Sequence, residues 1–148
     1  ALYGCNPTPW ISNPMCPVVK LKTKILQRRE AFPGETISYG ATYIIEKPTK
    51  IATVSVGYAD GYLRSLSGKG FGVVNGIQLP VLGRVTMDMI MLDVSELPEE
   101  KSRPGNWVEL IGDRNSVDDL ANAVGTIPHE ILTSLGNRYH RCYVSGSR

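Results

Sequence analysis

Two stretches of this 148-residue chain carry residue types and spacings that could do chemistry. The first is Gly57-Tyr58-Ala59-Asp60-Gly61-Tyr62, directly after the apolar run Ile51 to Val56. Its glycines suit a tight turn at a strand end, which would hold polar side chains in a fixed direction. Turn chemistry accounts for Gly57, Asp60 and Gly61 but not for two tyrosines. Loops on rigid sheets are where binding groups concentrate, so this stretch is a candidate functional edge. The second is Arg84-Val85-Thr86-Met87-Asp88, where a basic and an acidic residue flank a short turn. Read plainly, Arg84 and Asp88 are a surface ion pair that contributes little. Read functionally, the turn offers a guanidinium and free backbone N–H groups to an anionic substrate.

Tyrosine is unusually frequent: Tyr39, Tyr43, Tyr58, Tyr62, Tyr139 and Tyr143 stand against only two phenylalanines. A core takes Phe where no hydroxyl is wanted, so these residues read either as a catalytic phenol with its surroundings or as rims and interfaces. Ser38-Tyr39-Gly40 is expected in mid-strand, where glycine weakens the ladder unless a backbone or ligand comes close. The sequence holds no P-loop, dinucleotide fingerprint, HExxH or nucleophile elbow. His129 and His140 are the only histidines, and neither is spaced with cysteines for a metal, so no metal site is expected. His140 is expected on a plain strand face.

The length suits one domain with a core of its own. A hydrophobic share of 42% and a charged share of 20% exclude disordered and collagen-like classes. No apolar run is long enough to span a membrane, and Ala1 to Pro9 lack the pattern of a signal peptide. Cys5, Cys16 and Cys142 are odd in number and far apart, against a disulfide framework, so a reducing cytoplasm is the expected location. Net charge of +2 does not imply nucleic acid, although Lys20, Lys22, Lys24, Arg28 and Arg29 cluster. The opening Ala1-Leu2-Tyr3-Gly4 reads as the start of an excised piece.

The elements that must position these residues follow from patterning. Residues 1–17, rich in proline, read as an extended connector. Val19 to Ile25 alternates apolar with basic and predicts a strand with the lysines on its wet side. Ala31 to Glu35 predicts a turn, Thr36 to Ile45 one strand ended by Pro48, and Ile51 to Val56 a strand buried on both faces. Asn75-Gly76, between Phe71–Val74 and Ile77, is a strong hairpin signal. Val81–Leu82, Met89–Val94 and Trp107–Ile111 complete the strands, with a polar loop over 98–105. Ser116 to Asp119 resembles a capping box opening a helix that Gly125 closes. Thr126 is expected to cap a second helix, with Ile127, Ile131 and Leu135 on one face, before a closing strand through Tyr139, Arg141 and Tyr143. The pattern predicts a mainly β fold, a closed or partly closed β-barrel-like domain with two short helices near the C-terminus.

Taken together, ALYG at 1–4, PGETISYGATY at 33–43, VGYADGYLR at 56–64, VNG at 74–76, LGRVTMDM at 82–89 and TIPHEILTSLGNRYHRCY at 126–143 resemble the C-terminal domain of the alanine racemase family over nearly the whole chain. The resemblance implies an N-terminal (β/α)8 barrel before residue 18, bearing the lysine that bonds pyridoxal 5'-phosphate, with residues 18–148 as the β domain. It implies a cytoplasmic homodimer in which each C-terminal domain completes the partner's site, interconverting L- and D-alanine to supply peptidoglycan precursors. The cofactor lysine is not among the residues of this chain that match the family. Lys20, Lys22 and Lys24 match no family lysine motif, so the chain alone is expected to be inactive.

By the same resemblance, Tyr39 is the phenol that exchanges the α-proton on the L-alanine side. A free phenol, with a pKa of about 10, is a poor base at neutral pH, so charge from the barrel has to favour its ionisation. Met87 would bind the substrate carboxylate through its backbone N–H. Tyr58, Arg64, Arg84 and Ile127 would line the narrow corridor to the site. His129 stands where the family usually has a tyrosine on the cofactor phosphate, and Thr86 where cysteine is frequent. Two other readings stand beside this one: a β-barrel module using the lysine face on single-stranded nucleic acid, and a related two-domain pyridoxal-phosphate decarboxylase.

Overall fold

A computed structural model describes residues 3–8 and 10–144. Eight strands form: β1 Leu21–Ala31, β2 Thr36–Ile37, β3 Tyr43–Ile44, β4 Thr49–Val54, β5 Phe71–Val74, β6 Ile77–Leu82, β7 Ile90–Asp93 and β8 Trp107–Ile111, followed by helices α1 Val117–Val124 and α2 Pro128–Ser134. Six strands close into an antiparallel barrel in the order β1-β4-β7-β6-β5-β8, with β1 hydrogen-bonded to β8. The expected mainly β barrel with two late helices is what forms.

Barrel closure rests on β1. Buried Leu21, Thr23 and Ile25 alternate with exposed Lys22 and Lys24, the pattern the lysines predicted. The strand runs on to Ala31 because it serves two ladders: Leu21 to Lys24 pair with β8, and Ile25 to Ala31 with β4. A register shift between Ile25 and Gln27 bends it from one neighbour to the other, the usual role of a bulge at a barrel corner. Closure leaves the barrel no free edge, so the expected closing strand at 139–143 does not form. Tyr139 packs on the core instead, while His140, Arg141 and Tyr143 are exposed.

The expected single strand over 36–45 is also absent. β2 and β3 are two-residue arms of a hairpin, Thr36 opposite Ile44 and Ile37 opposite Tyr43. Between them Ser38, Gly40 and Ala41 have φ of 70°, 74° and 52°, left-handed values that no strand admits. Tyr39 therefore sits at a loop tip. Asn75 and Gly76, with φ of 51° and 84°, form the predicted two-residue turn between β5 and β6.

Ile25, Val54, Leu79, Leu92, Val108 and Leu110 share the main core, which Leu120 of α1 and Ile131 of α2 extend. Each such side chain removed from water contributes roughly 2 kcal/mol. The capping box at α1 forms: Ser116 Oγ accepts from the Asp119 N–H at 3.1 Å, and Asp119 Oδ2 from the Ser116 N–H at 2.9 Å. Thr126 does not cap α2. Ile127 occupies that position, ahead of Pro128, and the Thr126 hydroxyl bonds the Glu130 carboxylate. Of the expected stripe only Ile131 is buried, because Ile127 lies outside the first turn and is exposed.

Residues 3–8 and 10–20 form neither helix nor strand, and the segment loops back on itself. Gly4, at φ 75°, lies so near Cys16 that a Cβ would stand 2.5 Å from the Cys16 carbonyl oxygen. Ala1 and Leu2 of the ALYG motif, and Pro9 of the connector, lie outside the described residues.

A candidate active-site face

The Gly57–Tyr62 stretch folds as a single 3-10 turn, Tyr58–Asp60, stopped by Gly61 at φ 94°. Asp60 organises it from inside: its side chain is buried, and Oδ2 accepts from the Gly57 N–H at 2.9 Å. The two tyrosines part company. Tyr62 is only 2% exposed and belongs to the core, whereas Tyr58 is 42% exposed. Burial pushes the Tyr62 phenol up from its ordinary pKa, and its hydroxyl finds no partner among the described residues. Only Tyr58 is presented outward.

The 84–89 segment packs directly on this turn. The Thr86 carbonyl accepts from the Tyr58 N–H at 2.9 Å, and the Met87 carbonyl from the Ala59 N–H at 3.0 Å. In a trans peptide the C=O and the following N–H point opposite ways. Anchoring the Thr86 carbonyl therefore aims the Met87 N–H away from the Gly57–Tyr62 turn, and that N–H has no partner among the described residues. Thr86 closes the turn with its own side chain, Oγ1 donating to the Met89 carbonyl at 2.7 Å and accepting from the Met89 N–H at 3.2 Å. Gly57 makes the approach possible, since a Cβ there would stand 2.3 Å from both carbonyl oxygens.

Tyr39 joins from the third direction. Ser38 Oγ bonds both backbone groups of Arg84, tying the β2–β3 loop to this segment. Gly40 is required for its φ rather than for space, because its nearest neighbour, Arg84 Nη1, would be 3.6 Å from a Cβ. A cavity of about 420 Å³ opens between these loops, lined by Tyr39, Tyr58, Arg64, Arg84, Thr86 and Met87 among others. Tyr39 is 71% exposed, so its phenol projects rather than packs. Neither Arg64 nor Arg84 makes an ion pair among the described residues. Two phenols, two uncommitted guanidiniums and a free N–H make a place for a small carboxylate.

Asp88 does not pair with Arg84, as the plain reading had it. It pairs with Arg138 at 2.8 Å, and Arg138 also reaches Asp60 at 3.3 Å. The Asp88 hydrogen bond, then the Asp60 charge, raise the already high pKa of Arg138, so it stays charged. Ser38, Thr86 and Arg138 are the residues whose parts in this face sequence reasoning missed. All three lay inside quoted motifs, but the meeting of Arg138 with Asp88, fifty positions apart, has no local signal.

Ile127 and His129 are not in this cavity. Both are exposed, at the start of α2, where the His129 ring meets the Tyr3 ring edge-on with centroids 6.0 Å apart. The lysine face is not a uniform basic strip either: Lys20 pairs with Asp113 at 2.5 Å, Lys24 lies 5.0 Å over Trp107, and Lys22 shares a groove with Glu109 and Asp113. Among the described residues no group of three or more His, Cys, Asp or Glu is placed to hold a metal ion.

The family described as alanine racemase, C-terminal domain, matches residues 18–143. The chain belongs to the alanine racemase family. The catabolic alanine racemase of Mesorhizobium japonicum is 53% identical to it over 147 residues, covering 99% of this chain and 38% of that protein. The biosynthetic alanine racemase of Agrobacterium fabrum is 46% identical, covering 97% and 40%. Among solved structures, the biosynthetic alanine racemase from Pseudomonas aeruginosa superposes with a TM-score of 0.89 at 41% identity, covering 97% of this chain and 40% of that one. The alanine racemase from Bartonella henselae, with covalently bound pyridoxal phosphate, gives 0.87 at 42% identity and the same coverage. This racemase domain therefore spans about two fifths of the length of its relatives.

Proposed function

We propose that the chain is the part of a pyridoxal-phosphate-dependent alanine racemase that supplies the L-side proton-transfer phenol and the mouth of the active site. The supporting observation is the convergence of Tyr39, Tyr58, Arg64, Arg84 and Met87, from loops far apart in sequence, on one cavity. Among the described residues no lysine lines it, so these residues fit the substrate side of the cofactor and not its covalent attachment, which falls to a preceding barrel domain. Bound there, the cofactor withdraws electrons and acidifies the proton on the α-carbon. This chain's residues do the rest at the open side. The Met87 N–H holds the carboxylate, Tyr39 Oη takes or returns the proton of L-alanine, and the guanidiniums with Tyr58 admit a small anion.

The separation of the two groups of site residues supports a dimer. His129, two residues after Ile127, lies beside Tyr3, on the side where the chain would arrive from its own barrel, and neither lines the Tyr39 cavity. One barrel then meets His129 of its own chain, toward the cofactor phosphate, and Tyr39 of the partner. Such an enzyme works in the cytoplasm and supplies D-alanine for peptidoglycan. The acids set among the lysines, and relatives named alanine racemase, weigh against a nucleic-acid module and a decarboxylase.

The test is Tyr39→Phe in the full-length enzyme. L-alanine turnover should fall by 100-fold or more, the usual scale for losing an acid–base group, with the cofactor's visible absorbance retained. Mixing this variant with one lacking the cofactor lysine should restore activity in mixed dimers. A Tyr39→Phe enzyme running at the normal rate would overturn the assignment.

A further inference from the structure

Resting on the racemase reading, we infer that Arg138 is a positioning residue for substrate, because its guanidinium joins Asp88 of the Met87 turn to Asp60 of the Gly57–Tyr62 turn and so fixes the direction of the Met87 N–H. Few contacts among the described residues hold that N–H in place. Its direction follows from the Thr86 and Met87 carbonyls lying on the Tyr58 and Ala59 N–H groups, at 2.9 and 3.0 Å. The Thr86 hydroxyl closes the turn upon itself and, among the described residues, ties it to nothing outside. Beyond those two backbone bonds, the contact that pins residues 87–88 to the fold is Asp88 on Arg138, at 2.8 Å.

Arg138 is itself well placed to act as a fixed point. Its Nε faces Asp60 Oδ1 at 3.3 Å, and Asp60 is buried with its second oxygen on the Gly57 N–H. The Gly136 N–H donates to the Asp60 carbonyl at 3.1 Å, so the segment carrying Arg138 is stitched to the same turn. A planar guanidinium offers donors on different edges at fixed angles, so one side chain can hold two carboxylates in one relative geometry. A lysine, with a single charged point, cannot hold both in that way. The bridge thus couples three pieces of chain: the turn that presents Tyr58, the turn that presents the Met87 N–H, and the stretch after α2.

Arg138 does not itself line the cavity and meets it only through Asp88, one of the lining residues. Its loss should therefore weaken carboxylate binding in the ground and transition states alike, which raises KM with little change in kcat. In the holoenzyme, Arg138→Met is expected to raise KM for both alanine enantiomers about tenfold, the scale of one impaired charge-assisted hydrogen bond. Inhibition by propionate, which keeps the carboxylate and lacks the amine, should weaken by the same factor. Cofactor absorbance should stay unchanged, and hydrogen exchange should quicken over residues 84–90. Arg138→Lys should recover only part of the loss. Asp88→Ala removes the turn's half of the bridge while leaving Arg138 on Asp60, so it tests the same link without uncovering the buried carboxylate. In that background, adding Arg138→Met should raise KM by clearly less than it does alone. Unchanged KM and propionate inhibition in Arg138→Met, or independent effects of the two substitutions, would overturn the inference. Propionate binding followed by calorimetry needs no turnover, so it separates failure of this link from failure of the racemase assignment.

Discussion

The hydroxyl of Ser38 makes two hydrogen bonds to the backbone of Arg84, accepting from its N–H at 2.7 Å and donating to its C=O at 3.2 Å. One side-chain oxygen thereby ties the loop that carries Tyr39 to the segment that carries Arg84 and Met87. The tie offsets local cost, since Ser38 and Ala41 hold left-handed φ values that non-glycine residues adopt at a penalty of order 1 kcal/mol or more. Ser38→Ala should lower stability by about 1–2 kcal/mol, two hydrogen bonds being lost at a half-buried position. It should also speed amide exchange across residues 38–42. In the full-length enzyme kcat for L-alanine should drop while cofactor content holds. Unaltered exchange in this loop would show that the tie does not fix Tyr39.

Gly57 tests how the two turns fit together. Its φ and ψ, −153° and −166°, are extended values open to any residue, so backbone conformation does not demand glycine there. Space does. A Cβ would lie 2.3 Å from the carbonyl oxygens of Thr86 and Met87, and both atoms are main chain. Gly57→Ala should cost about 1–3 kcal/mol, the range for overpacking, by forcing the 84–89 segment away. Denaturant melts read the stability, and the freed Tyr58 and Ala59 amides should exchange faster. A melt at the wild-type midpoint would mean that the turns can separate without loss.

Asn115 holds β5 to β8 from a fully buried position, its Nδ2 donating to the Phe71 carbonyl at 2.8 Å and the Leu110 carbonyl at 2.7 Å. Asn115→Asp keeps the shape but turns a carboxylate against two carbonyl oxygens. At neutral pH this should destabilise by about 3 kcal/mol or more, from two lost bonds and an unpaired buried charge. Burial favours the neutral acid, which still donates one bond, so the substituted fold binds a proton more readily than its unfolded chain. The variant should therefore regain stability as pH falls from 7 toward 5, a trend that urea melts at several pH values would reveal or refute.

The barrel was legible because its signals are local. Alternation in Val19–Ile25, the Asn75-Gly76 turn and the capping box at Ser116 each fix a few bonds between near neighbours, and all three formed, the strand starting two residues late at Leu21. The failures share a cause. Thr36 to Ile45 has the β-branched and aromatic composition of a strand, and only the left-handed values at Ser38, Gly40 and Ala41 reveal a loop. Tyr139 to Tyr143 has strand alternation but no edge to join once β1 meets β8. The same limit applied to the site. Motifs named Tyr39, Tyr58 and Met87, but that Ser38 would clasp Arg84 and Arg138 would take Asp88 depends on loops meeting in three dimensions.

Tyr62 carries the last prediction. Its ring is buried, its hydroxyl has no partner among the described residues, and burial raises its pKa above that of a free phenol. Raised pKa in the folded state means that the fold retains a proton which the unfolded chain gives up above about pH 10. The linked stability is complete below that pH and is lost as pH climbs toward the folded value. Tyr139, also raised mainly by burial, adds in the same direction. Stability should thus fall steeply above about pH 10. Tyr62→Phe removes a buried hydroxyl that makes no hydrogen bond among the described residues, so no hydrogen bond seen in the fold is lost. The variant should match or exceed the wild type at pH 8, by up to about 1 kcal/mol, and decline less steeply in alkali. Thermal melts from pH 8 to 11 decide it: a Tyr62→Phe protein clearly less stable at pH 8 would show that the hydroxyl has a partner after all, most simply a buried water.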